Sequence, residues 1–280
     1  MPRDDPPQAT GWKAHLALGF ERRGERTVLA TRRHDGPLVV QKPLYPEGGA
    51  TCHAIVVHPP AGIAGGDELA IDVVAEECAS AFLTTPGAGK WYRSNGPRAS
   101  QRVRIRGARA SAVEWLPQET LVYDGAYADI SWEASLEADA RLIAWDIVCL
   151  GRTGSGERFD AGRLRMGARL SRDGRPAWIE RTRVQPGNAF ASSPAGLDGA
   201  SVMGTMLVAA PAIDDAWLAV ARAATPREGE AAATRLPGVL LARYRGHSGE
   251  AAREHFAAIW RELREPVMGR SAIEPRIWRT

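Results

Sequence analysis

The chain has 280 residues, of which 44% are hydrophobic, and its 36 basic side chains nearly balance its 33 acidic ones. This length supports one large domain that needs no disulfide, and a formal charge of +3 argues against nucleic acid as the main partner. The three cysteines, Cys52, Cys78 and Cys149, are too widely spaced for a secreted disulfide framework. No apolar run approaches the roughly 20 residues of a membrane span. We therefore expect a cytoplasmic protein that binds neither nucleic acid nor membrane.

The first residues, Met1 to Gln8, are polar and proline-rich and lack the apolar core of a signal peptide. We predict a disordered lead-in over residues 1–11. The rest shows no internal repeat of fixed period. We interpret residues 12–280 as one β-rich scaffold domain with a helical C-terminal subregion from about 214 to 280.

Apolar and polar residues alternate along many short segments of the first two thirds of the chain, which predicts half-buried strands. Clear examples are 68–73, 102–106 and 163–170. Three further runs, 38–40, 54–57 and 142–150, are almost continuously apolar and predict strands that are covered on both faces. Asp173-Gly174 predicts a hairpin turn. The expected fold is mainly β, a stacked or β-helix-like body of many strands with a few helices, mostly C-terminal.

Helical signals come late in the chain. The segment from Asp214 to Ala224 is a short candidate with acidic residues at its start. The segment from Ser248 to Glu265 is stronger, because Ser248 can cap it and Pro266 is expected to stop it. Its apolar stripe either docks on the β body or binds a partner. The residues predicted for partner binding are Phe256 and Trp260 in this stripe and Ile277 and Trp278 in the tail that follows.

The string from Pro86 to Ser94 contains Gly89-Lys90 and looks like a phosphate loop. A working loop of this kind needs a glycine five residues before the second glycine and a hydroxyl residue after the lysine. Thr84 and Trp91 occupy those two positions. A bulky indole cannot coordinate magnesium, so we predict that the segment does not bind nucleotide.

Cys52, His53 and His58 lie within seven positions and suggest a metal site. In an extended strand, however, residues 52 and 58 stand about 20 Å apart and His53 points to the other face. They cannot hold one ion jointly. Either histidine could contribute to a site with ligands from neighbouring strands, and either could equally be a hydrogen-bonded structural residue.

Several carboxylates lie in or beside apolar strand sequence, where an unpaired charge is costly. Asp67 follows a proline- and glycine-rich turn and could simply bond backbone amides. A water-filled passage through the β body would also relieve the cost of these groups. The other members of this set are Glu114, Glu119, Asp124, Asp146, Glu157 and Glu180.

The sequence contains neither a G-x-S-x-G nucleophile motif nor H-E-x-x-H. A carbohydrate-active enzyme is nevertheless an open alternative, since two carboxylates that flank a sugar could be hidden among Glu114, Glu119 and Asp124. Aromatic residues would then serve as sugar platforms, although core packing explains them equally well. These aromatics are Trp91, Tyr92, Trp115 and Tyr123.

Four ordered segments together carry a family resemblance: Cys52 to Asp67, Pro86 to Ser94, Glu114 to Ala126 and Trp145 to Arg152. The chain also closes on Pro275-Arg276-Ile277-Trp278. In these segments and their order, the chain resembles the urease accessory protein UreD family, called UreH in some bacteria. The match between about Val184 and the C-terminal helix is by order and length only.

The resemblance implies a non-enzymatic maturation factor, a β-rich scaffold in the complex that inserts nickel into apo-urease. Its implied partners are the urease apoprotein, the helical adaptor UreF and, through the adaptor, the GTPase UreG, which hydrolyses GTP. No tightly bound cofactor is implied, only transient Ni²⁺ conducted through the body. By motif position, the passage is expected near Asp67, Glu114, Glu119, Asp124 and Asp146. Glu180 is added for its place beside strand sequence, and His53 and His58 are weaker candidates.

Overall fold

A computed structural model describes residues 11–279, so the lead-in predicted for residues 1–11 lies outside the described residues except for Gly11. Within this range the strands form one seven-stranded and one ten-stranded sheet. The strands are β1 (Lys13–Arg23), β2 (Arg26–Asp35), β3 (Val39–Val40), β4 (Cys52–Val57), β5 (Glu68–Ala75), β6 (Ser80–Thr84), β7 (Gly89–Trp91), β8 (Ala99–Gly107), β9 (Ala112–Trp115), β10 (Thr120–Val122), β11 (Tyr127–Leu136), β12 (Arg141–Leu150), β13 (Arg163–Arg172), β14 (Arg175–Val184), β15 (Val202–Ala209), β16 (Glu230–Leu236) and β17 (Val239–Gly246). The helices are α1 (Ala189–Ser192), α2 (Asp215–Ala223) and α3 (Gly249–Met268), with 3₁₀ turns at Thr153–Ser155 and Arg276–Arg279.

The strands wind into a β-solenoid of about four turns within the described range. The chain alternates between the sheets: β1, β5, β8, β11 and β13 stack in parallel in one sheet, and β4, β6, β9 and β12 stack in parallel in the other. The parallel register places side chains from successive turns in rows inside the solenoid. One such interior row is formed by Leu16, Ile71, Val103, Trp132 and Ala168. The mainly β, β-helix-like prediction is thus confirmed.

Antiparallel strands close the solenoid. β2 pairs with β1 at one edge of the seven-stranded sheet, and β14 pairs with β13 at the other. In the second sheet, β15, β17 and β16 continue beyond β12. The short strands β7 and β10 pair with each other, and β10 also pairs with the end of β12, so both branch off the main path of the second sheet.

The turn of the β13–β14 hairpin has the backbone conformation that its Asp-Gly sequence favours. Asp173 and Gly174 both adopt positive φ angles, 48° and 74°. Two consecutive left-handed residues match the twist of the flanking strands, which is why Asp-Gly favours this turn. The predicted hairpin is confirmed.

The helices begin as predicted, but α3 ends later. The side chain of Asp214 caps α2 by accepting from Ala216 N at 2.8 Å, and Ser248 caps α3 by accepting from Ala251 N at 3.1 Å. The prediction that Pro266 stops α3 is wrong, since the helix runs on to Met268. Proline removes one backbone N–H, but buried Val267 and Met268 hold the last turn against the solenoid.

α3 covers the second sheet and shares a separate hydrophobic cluster with it. The main core lies between the sheets inside the solenoid. Among the described residues, the helices are too short or too polar to cross a bilayer.

Candidate functional site

Two neighbouring cavities share lining residues from both sheets. The first, here called the inner cavity, has a volume of about 320 Å³ and is lined by both sheets and by the loop at residues 85–89. The second, the outer cavity, has a volume of about 540 Å³ and lies beside β13, β14, β15 and β17. Ile130, Trp132 and Asp146 line both cavities. These three residues therefore mark the place where the two cavities adjoin, here called the junction.

Asp146 is the charged residue at the junction. It lies on β12, and its Oδ2 accepts a hydrogen bond of 2.6 Å from Nε1 of Trp132 on β11. The pKa of Asp146 is raised to about 6, because burial and, to a smaller extent, the charge of Glu180 outweigh the lowering effect of the Trp132 hydrogen bond. At pH 7 the carboxyl group is still mostly ionised. Within the described chain, Oδ1 has no hydrogen-bond partner.

The inner cavity presents His58 at its wall. Burial lowers the pKa of this histidine, and the nearby charge of Asp67 only partly opposes the shift. The imidazole is therefore neutral at pH 7, the form in which its nitrogen can bind a metal ion.

The outer cavity contains a carboxylate that already has a partner. Glu180 lies on β14, and its Oε1 accepts from Arg243 at 3.0 Å, while the second guanidinium nitrogen binds Oε2. Arg243 also donates to Thr205 Oγ1 at 3.3 Å. Both Glu180 and Asp146 line this cavity, and the negative charge of Glu180 acts on the pKa of Asp146.

Asp67 and Asp124 instead hold loops in place. Asp67 Oδ1 and Oδ2 accept from the backbone nitrogens of Trp12 and Ala64, each at 2.8 Å. Asp124 Oδ1 accepts from the backbone nitrogens of residues 160 and 161, and Oδ2 accepts from Arg93 at 2.5 Å. The backbone-bonding alternative for Asp67 matches these contacts. Neither residue lines the two cavities.

Glu114 and His53 belong to a buried charge network beneath α3. Glu114 accepts from Trp260 Nε1 at 2.6 Å and from Arg264 at 3.0 and 3.1 Å. Arg264 also binds Glu47, which in turn lies 2.5 Å from His53 Nε2. Burial alone would raise the pKa of Glu47, but hydrogen bonds from His53 and Arg264 outweigh it and lower the pKa to about 2. This network fastens the helix to the solenoid.

Glu119 lies near the start of α3. Its Oε1 accepts from Arg253 Nε at 2.8 Å. Cys149 is close by, and its pKa is raised to about 12, first by burial and then by the charge of Glu119. Such a thiol is inert as a nucleophile at neutral pH.

Across residues 11–279, the structure brings together no group of three or more His, Cys, Asp or Glu side chains that could hold a metal ion. The eight predicted ligands separate into two sets. Three line the cavities, namely His58, Asp146 and Glu180. The other five have partners elsewhere, namely His53, Asp67, Glu114, Glu119 and Asp124.

The four residues predicted to bind a partner lie in or against the intramolecular cluster under α3. Phe256 and Trp260 are fully buried, Trp278 is 8% exposed, and Ile277 is partly buried against the same cluster. The ring of Trp278 lies 5.4 Å from those of Trp145 and Trp260. Phe256, Trp260 and Trp278 thus belong to the protein's own core, and partner binding by these four residues stays a prediction.

Lys90 lies on the short strand β7 and not at the start of a helix. Trp91 is buried, and Thr84 Oγ1 donates to Leu116 O at 2.6 Å while accepting from Trp278 Nε1 at 2.9 Å. Thr84 and Trp91, the two residues that break the phosphate-loop pattern, are thus buried parts of the protein interior. The loop before Lys90 lines the inner cavity.

Comparison with known proteins identifies the family. The sequence profile described as UreD urease accessory protein matches residues 13–279. A urease accessory protein UreD from Azoarcus sp. (strain BH72) is 55% identical over 96% of this chain and 95% of its own length. The UreD from Dechloromonas aromatica (strain RCB) is 51% identical over 100% of this chain and 99% of its own. The chain belongs to the UreD urease accessory protein family.

As a member of the UreD family, the protein is a non-catalytic accessory protein involved in urease maturation. The carbohydrate-active alternative is therefore wrong. Two of its proposed sugar platforms, Trp91 and Trp115, are buried core residues.

Sequence reasoning missed several residues that shape the candidate site. Trp132 was not singled out, although it holds the junction carboxylate. Glu47 was hidden in a turn, and Arg264 lies on the helix among many exposed arginines, so neither had a local signal of burial. The pairing of Arg243 with Glu180 joins residues 63 positions apart.

Proposed function

We propose that this protein is a urease maturation factor that conducts Ni²⁺ along the inner and outer cavities toward apo-urease. It acts in the cytoplasm within a complex of the urease apoprotein, the helical adaptor UreF and the GTPase UreG, the partners that family membership suggests. Nickel is the cargo and no tightly bound cofactor is needed. The observation that carries the proposal is that Asp146, a buried carboxylate, lines both cavities.

The donor atoms along the cavities suit such a cargo. Imidazole nitrogen and carboxylate oxygen are both ligands of borderline divalent ions. His58 offers a neutral imidazole in the inner cavity, Asp146 a carboxylate at the junction, and Glu180 a carboxylate in the outer cavity. A tight site would need several such ligands around one point. Ligands spread along a path hold the ion weakly and release it, as transit requires.

Asp146 has the strongest case for a direct role. A divalent cation inside a protein needs compensating negative charge, because the low dielectric penalises an isolated ion. The Trp132 hydrogen bond occupies only Oδ2, so Oδ1 can approach an ion or its bound water. An ionised carboxyl group that is buried in this way lowers the stability of the fold. Proteins retain such destabilising groups where function requires the charge.

Glu180 would take part by exchanging partners. In the structure its carboxylate is neutralised by Arg243. A cation that enters the outer cavity competes with this guanidinium, so binding there would be weakened relative to a free carboxylate. Weak binding next to the junction would favour movement over retention.

The test is Asp146→Asn, which keeps the shape and removes the charge. Purified complexes are assembled with apo-urease, and the nickel content and activity of the urease are followed in time. We expect normal assembly and a rate of nickel loading lowered by about tenfold or more, as expected when one ion ligand is lost. Asp72→Asn is the matched control, since Asp72 lies on the outer face of β5, where it pairs with His15. Normal loading by the Asp146 variant would contradict conduction past this residue.

A further inference from the structure

The β13–β14 hairpin has one face inside the solenoid and one face outside. Its inward residues are buried, namely Leu164, Leu170, Trp178 and Val184. On the outward face of this described hairpin, the charged side chains are all arginine. We propose that this surface docks a folded protein partner that presents carboxylates around an apolar side chain. We call it the arginine face and define it as Arg163, Arg165, Arg169, Ile179, Arg181 and Arg183.

The arginine face places like charges side by side. Arg165 and Arg183 are direct partners in the antiparallel register, and like charges opposite each other on neighbouring strands are unfavourable. Asp129 lies 4.0 Å from Arg165, but it also binds Arg98 at 3.0 Å. Arg165 Nε is buried without a hydrogen-bond partner among the described residues. Within the described chain the charge of this face is therefore only partly compensated.

The middle of the same sheet is arranged differently. There Asp72 on β5 lies 2.7 Å from His15 on β1 and 3.8 Å from Arg104 on β8. Asp72 thus compensates charge on both neighbouring strands, although Arg102 and Arg106 on β8 have no carboxylate within ion-pair distance among the described residues. On the arginine face, no described carboxylate lies within ion-pair distance of four of the five arginines, namely Arg163, Arg169, Arg181 and Arg183.

Ile179 adds an apolar contact to the arginine face. It is 52% exposed, its register partner is Arg169, and Arg181 follows two residues later on the same face. A large apolar side chain surrounded by arginines resembles the composition of protein interfaces, in which aromatic or aliphatic anchors sit within a charged rim.

The dimensions favour a folded protein over nucleic acid. Arg163 and Arg169 are six residues apart on one strand, so the face is about 20 Å long and only two strands, about 10 Å, wide. The next strand, β11, carries Asp129 and Glu133 on the same side. Those carboxylates would repel a phosphate backbone that continued past the arginines. A compact acidic protein surface with an apolar side chain fits within this border.

The arginine face adjoins the outer cavity, since Arg181 also lines that cavity. A partner docked here would lie beside the outer cavity and could exchange metal with it. That link rests on the proposed function, whereas docking itself does not.

The experiment measures binding of two purified probes, the urease apoprotein and the adaptor, to the full chain at about 50 and 300 mM salt, where screening differs strongly. We expect Arg183→Glu and Ile179→Ser each to weaken binding of one probe by about tenfold at low salt. Arg183→Lys should retain most binding. The matched control is Arg33→Glu, an exposed arginine on β2 at the opposite edge of the same sheet, and it should change binding less than about twofold.

Normal binding of both probes by Arg183→Glu and Ile179→Ser would overturn the proposal. So would binding of a short duplex DNA that is lost in Arg183→Glu while both protein probes bind normally. Circular dichroism shows whether each variant is folded. If Arg183→Glu does not fold, the binding of Ile179→Ser is the result that supports or overturns the proposal. The Asp146→Asn loading test distinguishes nickel conduction from docking. If Asp146→Asn loads urease normally while the docking variants lose binding, conduction is contradicted and docking is supported. If Asp146→Asn loads slowly while the docking variants bind normally, conduction is supported and docking is contradicted.

Discussion

Replacement of Arg264 by methionine would remove the cation that joins α3 to the solenoid. Arg264 is fully buried and donates to Glu114, to Glu47 at 2.6 and 2.8 Å, and to the Ser271 carbonyl at 2.6 Å. Methionine is unbranched and fills much of the same space. The variant would therefore keep most of the packing but leave two buried carboxylates without their guanidinium.

Two estimates give the size of the effect. Removal of one partner of a buried ion pair costs about 3–5 kcal/mol. In addition, His53 and Arg264 together lower the pKa of Glu47 from 4.5 to about 2, and at about 1.4 kcal/mol per pKa unit the ionisation of Glu47 contributes about 3 kcal/mol at neutral pH, of which Arg264 supplies a part. Because the folded pKa is depressed, this contribution is present above pH 4.5 and is lost as the pH falls toward 2. We expect Arg264→Met to lower the free energy of unfolding by about 3–5 kcal/mol at pH 7.

Urea unfolding followed by circular dichroism measures this loss. The control is Arg261→Met on the same helix, where Arg261 is half-exposed and binds Glu274, so it should cost only about 0–1 kcal/mol. The difference between the two variants should shrink at low pH, where the carboxylates left by Arg264 become protonated. An Arg264→Met loss no larger than that of the control would refute the idea that this network fastens α3.

Three further outcomes are expected. Asp146→Asn should raise the free energy of unfolding at pH 8 by up to about 3 kcal/mol but leave it unchanged near pH 3. The reason is that the pKa of Asp146 in the folded protein is raised from 3.8 to about 6, so the wild type loses stability as the pH rises through this range. Urea unfolding of both proteins at pH 8 and near pH 3 measures the difference. Trp278→Ala should lower the free energy of unfolding by about 3–5 kcal/mol, measured in the same way, since the indole packs in the cluster under α3. Ala168→Trp should partly fill the outer cavity and slow nickel loading of urease in the assembled complex, and unchanged loading would speak against that route.

The elements of the fold could be predicted from local sequence. Alternation of apolar and polar residues marked β5, β8 and β13, because a strand with one buried face needs a period of two. Capping residues marked the starts of α2 and α3 for an equally local reason. The end of α3 was missed, because the last turn is held by burial against another part of the chain, which outweighs the local effect of Pro266.

The candidate site was only partly predictable. A carboxylate beside apolar residues in the sequence indicates a buried charge that needs a hydrogen-bond or ion-pair partner. This indication is the same for every carboxylate that we predicted as a nickel ligand. Asp67 is satisfied by two backbone amides, Glu114 by an arginine 150 positions away, and Asp146 by an indole and a cavity. Local sequence cannot distinguish these outcomes.

The sequence by itself determined the β-rich body, its turns and caps, and the presence of charged groups within apolar strands. It also carried the family motifs. The tertiary structure decided which of those groups face a cavity, because this depends on how successive turns stack. The register that pairs Trp132 with Val103 and Ala168 points the indole inward to meet Asp146. A shift of one residue would point it outward, so the junction exists only in the assembled solenoid.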